Sequence, residues 1–153
     1  MSEIEPSMGY LLNWGARLIR RLADRRLKKL GLSVAYLPII NALAGNEAMS
    51  QKALAAYAAI EQPTMAATLV RMERDRLIER RPDPHDRRSS LFLLTAATRK
   101  KLPAMRATIA AIDAEVLGGL PENVRKPFWR HMRTMVAAME ARVAAEAAGP
   151  DEP

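Results

Sequence analysis

Four arginines crowd one short stretch of this chain. Arg80 and Arg81 precede the turn Pro82-Asp83-Pro84-His85-Asp86, and Arg87 and Arg88 come directly after it. Guanidinium groups keep their charge and offer paired donors, which suits phosphate oxygens and purine edges. Nothing comparable exists for catalysis. His85, Asp86 and Ser89 could be written as a triad, but they crowd a single turn and have no oxyanion element. With no convergent acid–base set, an enzyme is not expected. The two histidines, His85 and His131, stand far apart and there is no cysteine. No metal site, cofactor, disulfide framework or cysteine redox sensor is therefore expected, and the thiol-free composition fits a reducing cytoplasm.

Composition narrows the partner. The 153 residues carry 24 Lys+Arg against 17 Asp+Glu, a net charge of +7. Such a balance favours polyanions, nucleic acid first and anionic membrane second. No uncharged apolar run reaches the ~18 residues of a spanning helix, so a membrane partner is not expected. The N-terminus begins acidic and does not read as a secretory signal. Aromatics make up only 5% of the chain, too few for stacking platforms on single strands. Length and an apolar fraction of 49% fit one globular domain, 1–153.

The elements that must position these residues are mostly helical. Residues 9–30 read as a helix with Leu11, Trp14, Leu18 and Leu22 in one stripe. Arg17, Arg20, Arg21, Arg25 and Arg26 lie off the stripe, and Gly31 stops it. Ser33 caps a second helix that ends at Gly45, with a kink or late start at Pro38. Ser50 caps the short helix QKALAAYA. After about four residues, Ala58 to Glu61, another helix opens at Gln62-Pro63-Thr64, with Pro63 in the favoured first position. Its inward stripe is Met65, Leu69 and Met72. Two short amphipathic helices on such a turn suggest a helix-turn-helix. Residues 77–94 then read as a hairpin, the wing of a winged helix, and Thr95 can cap the next helix.

Two long helices close the chain. Leu102, Met105, Ile109, Ile112 and Val116 form a heptad-like seam. After Gly118-Gly119, Pro121 opens a helix with Val124, Phe128, Met132, Met135, Met139 and Val143 on one face. Pro103 and Pro127 are expected in or near the first turns of these helices, where proline is tolerated. The apolar stripes exceed what a small winged helix can cover. The surplus reads as a homodimer interface built from Leu11, Leu18, Ile109, Ile112, Val116, Phe128, Met132, Met135 and Met139. The expected fold is mainly α with a β-hairpin wing. Its dimerisation helices lie at 9–30 and 96–145, around a winged helix-turn-helix at 33–95.

Three stretches in order carry a family resemblance. They are MGYLLNWGARLIRRLADRRLKKLGLS, then IEQPTMAATLVRMERDRLIERRPDPHDRRSSLFLLT, then a helical ending with Pro103 near its start. Over roughly residues 8–142 the chain resembles the MarR family of winged helix-turn-helix regulators, nearest its SlyA-like branch. Ala59 in the helix-turn-helix turn and Arg76 before the wing stand where that family usually has glycine.

The resemblance implies a homodimer with one recognition helix per subunit in successive major grooves of a palindromic operator, most often as a repressor. On residues 62–75 the face opposite the core stripe offers Gln62, Pro63, Thr64, Ala67, Thr68 and Arg71. Gln62 could pair with adenine, Arg71 with guanine or phosphate, and Thr or Ala with a thymine methyl. In the wing, Arg81, Arg87 and Arg88 supply charge, Arg88 is expected in the minor groove, and Asp86 is expected to brace the loop or an arginine. Ser50 presents amides to a phosphate or is only a cap. The family also implies release by a small aromatic or phenolic anion between the lobes, where Trp14, Arg17 and Tyr36 are candidates. An apolar-stripe Trp14 is more often core, and Arg17 more often a solvated face. An alternative of a different class is a nucleoid-type architectural protein with little sequence preference.

Overall fold

The computed structural model describes residues 5–86 and 88–147. Helix α1, Met8–Leu27, is capped by the Ser7 hydroxyl, which accepts from the Tyr10 amide. It tightens into a 3-10 turn at Lys28–Leu30 and ends on Gly31, whose φ of 69° is the left-handed conformation that glycine takes without a Cβ penalty. α1 buries Ala23 and Leu27. The stripe Leu11, Trp14, Leu18 and Leu22 is instead 53%, 45%, 41% and 38% exposed, so the core reading of Trp14 is corrected.

The second helix starts late. Ser33 caps a 3-10 turn, Val34–Tyr36, and α2 runs Leu37–Gly45 with Pro38 in its first turn. Asp24 of α1 secures this junction: its Oδ1 accepts from the Val34 amide at 2.9 Å and the Ser33 hydroxyl at 3.2 Å. Next come β1 Met49–Ser50, α3 Gln51–Ala58 and α4 Gln62–Arg74. Strands β2, Ile78–Pro82, and β3, Ser90–Leu94, form the wing. The sheet has three antiparallel strands in the order β1-β3-β2, with Met49 and Arg80 both opposite Phe92. The two-residue β1 lies outside the hairpin expected from the sequence.

Helix α5 spans Ala96–Leu117 and α6 spans Glu122–Ala147. Thr95 caps α5, its Oγ1 accepting from the Thr98 amide and lying 3.1 Å from the Arg76 carbonyl, to which it donates. Pro103 and Pro127 lie inside the helices, not in their first turns. Each removes an i→i−4 bond there.

Packing separates two compact units, one ending at Ile112 and the other beginning at Asp113. The core of the first gathers Leu27, Ile39, Ile40, Leu43, Leu54, Met65, Leu69, Met72, Phe92, Leu94 and Met105. Both α1 and the first part of α5 contribute to it, so the segments 9–30 and 96–112 are not separate from the winged helix. Ile112 belongs to this core at 2% exposure and Ile109 packs against it. Ile112 is thus spent inside one subunit, which corrects its place in an interface. Val116 is 48% exposed. In the second unit α6 buries no residue. Phe128, Met132, Met135 and Met139 are half-buried, and Val143 is exposed. Arg125 holds the connection into α6, donating through Nε to the Leu120 carbonyl and through Nη2 to the Gly118 carbonyl. Among the described residues no single helix is long and apolar enough to cross a membrane.

Candidate nucleic-acid interface

Helix α4 owes its place to its apolar side. Met65, Leu69 and Met72 are almost completely buried, which orients the rest of the helix. Gln62, Pro63, Thr64, Ala67 and Arg71 are exposed or only partly covered. Val70, which the sequence reading did not single out, is 59% exposed between Ala67 and Arg71 in the chain. Its signal was available, since it lies off the 65/69/72 stripe.

Thr68 is different. It is 4% exposed, and its hydroxyl donates to the Thr64 carbonyl at 2.8 Å. The same oxygen accepts from Arg71 Nη2 at 3.1 Å. A direct contact from Thr68 to a base edge is therefore not open. Position 68 comes three after 65 and four before 72, so it falls on the buried stripe.

The turn before α4 requires a left-handed residue. Ala59 has φ 49° there, and Arg76, after α4, has φ 57°. These are the two non-glycine residues of positive φ among the described residues, at the two positions where glycine is usual in the resembling family.

The wing meets the helices at an open cleft of about 620 Å³. Ser50, Gln51, Lys52 and Gln62 line it from the helix side, and Arg80, Asp86, Arg88 and Phe92 from the wing side. Ser50 caps α3 by accepting from the Ala53 amide at 3.2 Å. Gln51 donates its amide to Gln62 Oε1 at 3.0 Å, joining the first residues of α3 and α4. Gln51 and Lys52 were not singled out in the sequence, because only the folded cleft brings them to Gln62.

The wing tip holds itself by carboxylates. Asp86 Oδ1 accepts from the Arg88 amide and Asp83 Oδ1 from the His85 amide, each at 2.9 Å. Asp86 thus grips backbone and leaves the Arg88 side chain exposed. Arg87 lies outside the described residues. Arg80 and Arg81 point to opposite faces of β2, as strand alternation demands. Arg80 pairs with Glu73 of α4 at 2.8 Å and stands 5.2 Å over the Phe92 ring. Arg81 pairs with Glu79 and lines a different cleft, with Pro82, Leu91 and Arg99. It is therefore not gathered with Gln62 and Arg88.

At the far end of α4, Asp75 accepts from Arg74 Nε at 3.0 Å and from the Tyr36 hydroxyl at 3.1 Å. The Arg74 hydrogen bond, aided by Tyr36, holds the Asp75 carboxyl below its usual range. Desolvation, then the hydrogen bond to Asp75, raises the Tyr36 phenol. Of the three effector candidates, Trp14 and Arg17 share a shallow cleft with Gly9, Tyr10 and Asn13, all from α1. Tyr36 does not line it and is engaged by Asp75.

Comparisons with known proteins agree with this architecture. A family profile described as "MarR family" matches residues 30–89. An uncharacterized HTH-type transcriptional regulator of Bacillus subtilis (strain 168), YwoH, is 27% identical over 128 residues, covering 84% of this chain and 93% of that protein. A crystal structure of MarR matches with a TM-score of 0.80 at 23% identity, covering 95% of this chain and 99% of the other. The S. aureus MepR–DNA complex matches with a TM-score of 0.76 at 20% identity, covering 88% and 99%. With a profile seated on its central helices and wing, and a fold shared along nearly its whole length, the chain is similar to the MarR family and has its winged helix-turn-helix fold.

Proposed function

We propose that this protein is a DNA-binding transcriptional regulator that works as a homodimer on a palindromic operator, as a repressor. The observation that carries this reading is the cleft where Gln62 of α4, Lys52 of α3 and Arg88 of the wing converge, beside an α4 whose opposite side is locked in the core. An α-helix fits the major groove of B-DNA, and an arginine on a loop suits the narrow minor groove of A·T tracts. The net charge of +7 supplies attraction to phosphate. MepR, which shares the fold, was solved on DNA. Pairing of two copies has its support in the exposed stripe of α1 and in α6, whose apolar side chains are at most half-buried.

Release by a small aromatic or phenolic anion belongs to the same reading. Trp14 and Arg17 offer a ring face and a cation side by side on α1. A ligand there acts by favouring a dimer geometry whose recognition helices no longer match the half-site spacing.

Selection of bound sequences from random duplex DNA tests the proposal. A recovered palindrome is expected, with half-sites about 10 base pairs apart. If the dimer neutralises about 8 phosphates, log K falls with log salt at a slope near −7. Specific binding should exceed nonspecific binding by about 10³ or more; a ratio near one would make the protein architectural instead. A monomer that binds no duplex at low ionic strength overturns the reading.

A further inference from the structure

The most constrained polar group on the recognition helix is one that faces inward. The Thr68 hydroxyl has a single proton, and the Thr64 carbonyl takes it at 2.8 Å. What remains on that oxygen are lone pairs, and Arg71 Nη2 donates to one of them at 3.1 Å. Thr68 is 4% exposed, so its position is fixed by packing. Arg71 is exposed, so without this bond its long side chain would sample many rotamers.

The obvious competitor for Arg71 is Asp75, one helical turn on. Its carboxylate is already engaged by Arg74 and by the Tyr36 hydroxyl. The guanidinium of Arg71 is tethered through one N–H of Nη2 to a neutral acceptor, which leaves its other donors available. A guanidinium held in one plane can meet the O6 and N7 of a guanine together, whereas a freely rotating one serves equally well as a phosphate contact.

We propose that Thr68 is a specificity-positioning residue: its buried hydroxyl holds Arg71 for the edge of one guanine in each half-site. This rests on the DNA-binding reading above. It assigns the choice between base and phosphate to a side chain that never touches DNA.

The test selects sequences from random duplex DNA with the full-length wild type and with Thr68→Val, Thr68→Ser and Arg71→Ala. Valine keeps the shape of threonine and removes the acceptor. Thr68→Val should lose discrimination at one G·C pair per half-site, by about 5- to 100-fold, while still binding duplex DNA. Thr68→Ser should keep that preference. Arg71→Ala should lose the same pair, and adding Thr68→Val to it should change nothing further. Should valine not fold, Thr68→Ala also lacks the hydroxyl and must lose the same pair. The inference is overturned if a folded hydroxyl-free variant selects the wild-type sequence, or if Thr68 and Arg71 affect different base pairs. A wild type that selects no sequence refutes the DNA-binding reading itself, a distinguishable outcome.

Discussion

The Tyr36 hydroxyl donates to Asp75 Oδ2 across 39 positions of chain, at 3.1 Å. The bond ties the residue before α2 to the residue that ends α4. It predicts two opposite pH signatures. The Tyr36 phenol is raised above 10.0, so its contribution to stability is present below pH 10 and lost as pH rises through the higher folded value. The Asp75 carboxyl is lowered below 3.8, so its contribution is present above that pH and lost as pH falls through the lower folded value. Tyr36→Phe should abolish the alkaline component, read as the difference between the ultraviolet titrations of the two proteins. Identical alkaline titrations beyond the loss of one ordinary tyrosine would contradict the bond.

Two backbone positions carry avoidable strain. Ala59→Gly and Arg76→Gly, at φ 49° and 57°, should each raise stability by about 0.5 to 1 kcal/mol. Gly31→Ala should cost about 1 kcal/mol. At that site a Cβ meets only Lys101 Nζ at 3.5 Å, so the loss comes from φ and not from crowding. Denaturant midpoints with unchanged slopes report all three.

Arg88→Ala should weaken duplex binding about tenfold or more and reduce the salt slope by about 2 for a dimer, one phosphate or groove contact per subunit. Preference for A·T pairs outside the α4 contacts should fall with it. Unaltered affinity and slope would remove the wing tip from the contact surface.

The α1 stripe predicts the oligomer. Leu18 is 41% exposed beside Leu11, Trp14 and Leu22, so Leu18→Glu should leave the subunit folded and shift it toward monomer. Analytical ultracentrifugation and circular dichroism separate these effects. A monomeric wild type, or a fully dimeric variant, would contradict the assignment of this face.

Much of the fold was legible because its signals are local. Ser50, Pro63, Thr95 and Gly31 mark helix ends by their own chemistry, and the Pro-Asp turn between apolar-edged strands marks the wing. Ala59 and Arg76 were visible only against the pattern of the resembling family. What was not legible depends on residues distant in sequence. Asp24 caps a turn nine and ten positions on, which no spacing rule on α1 foretells. Gln51 and Lys52 line the cleft only because the fold sets Arg80 and Arg88 of the wing across from them. Trp14 shows the limit of periodicity: a stripe reveals that a face is apolar, not whether its own subunit covers it. Thr68 was a misreading of available information, since its helical position already placed it with Met65 and Met72.

The two-residue β1 pairs Met49 with Phe92 and Ser50 with Leu91, and Ser50 is also the cap of α3. The charged finger is thus stitched, through its return strand, to the very residue that launches α3. A shift of the finger's return strand therefore bears directly on the start of that helix, because one residue serves both.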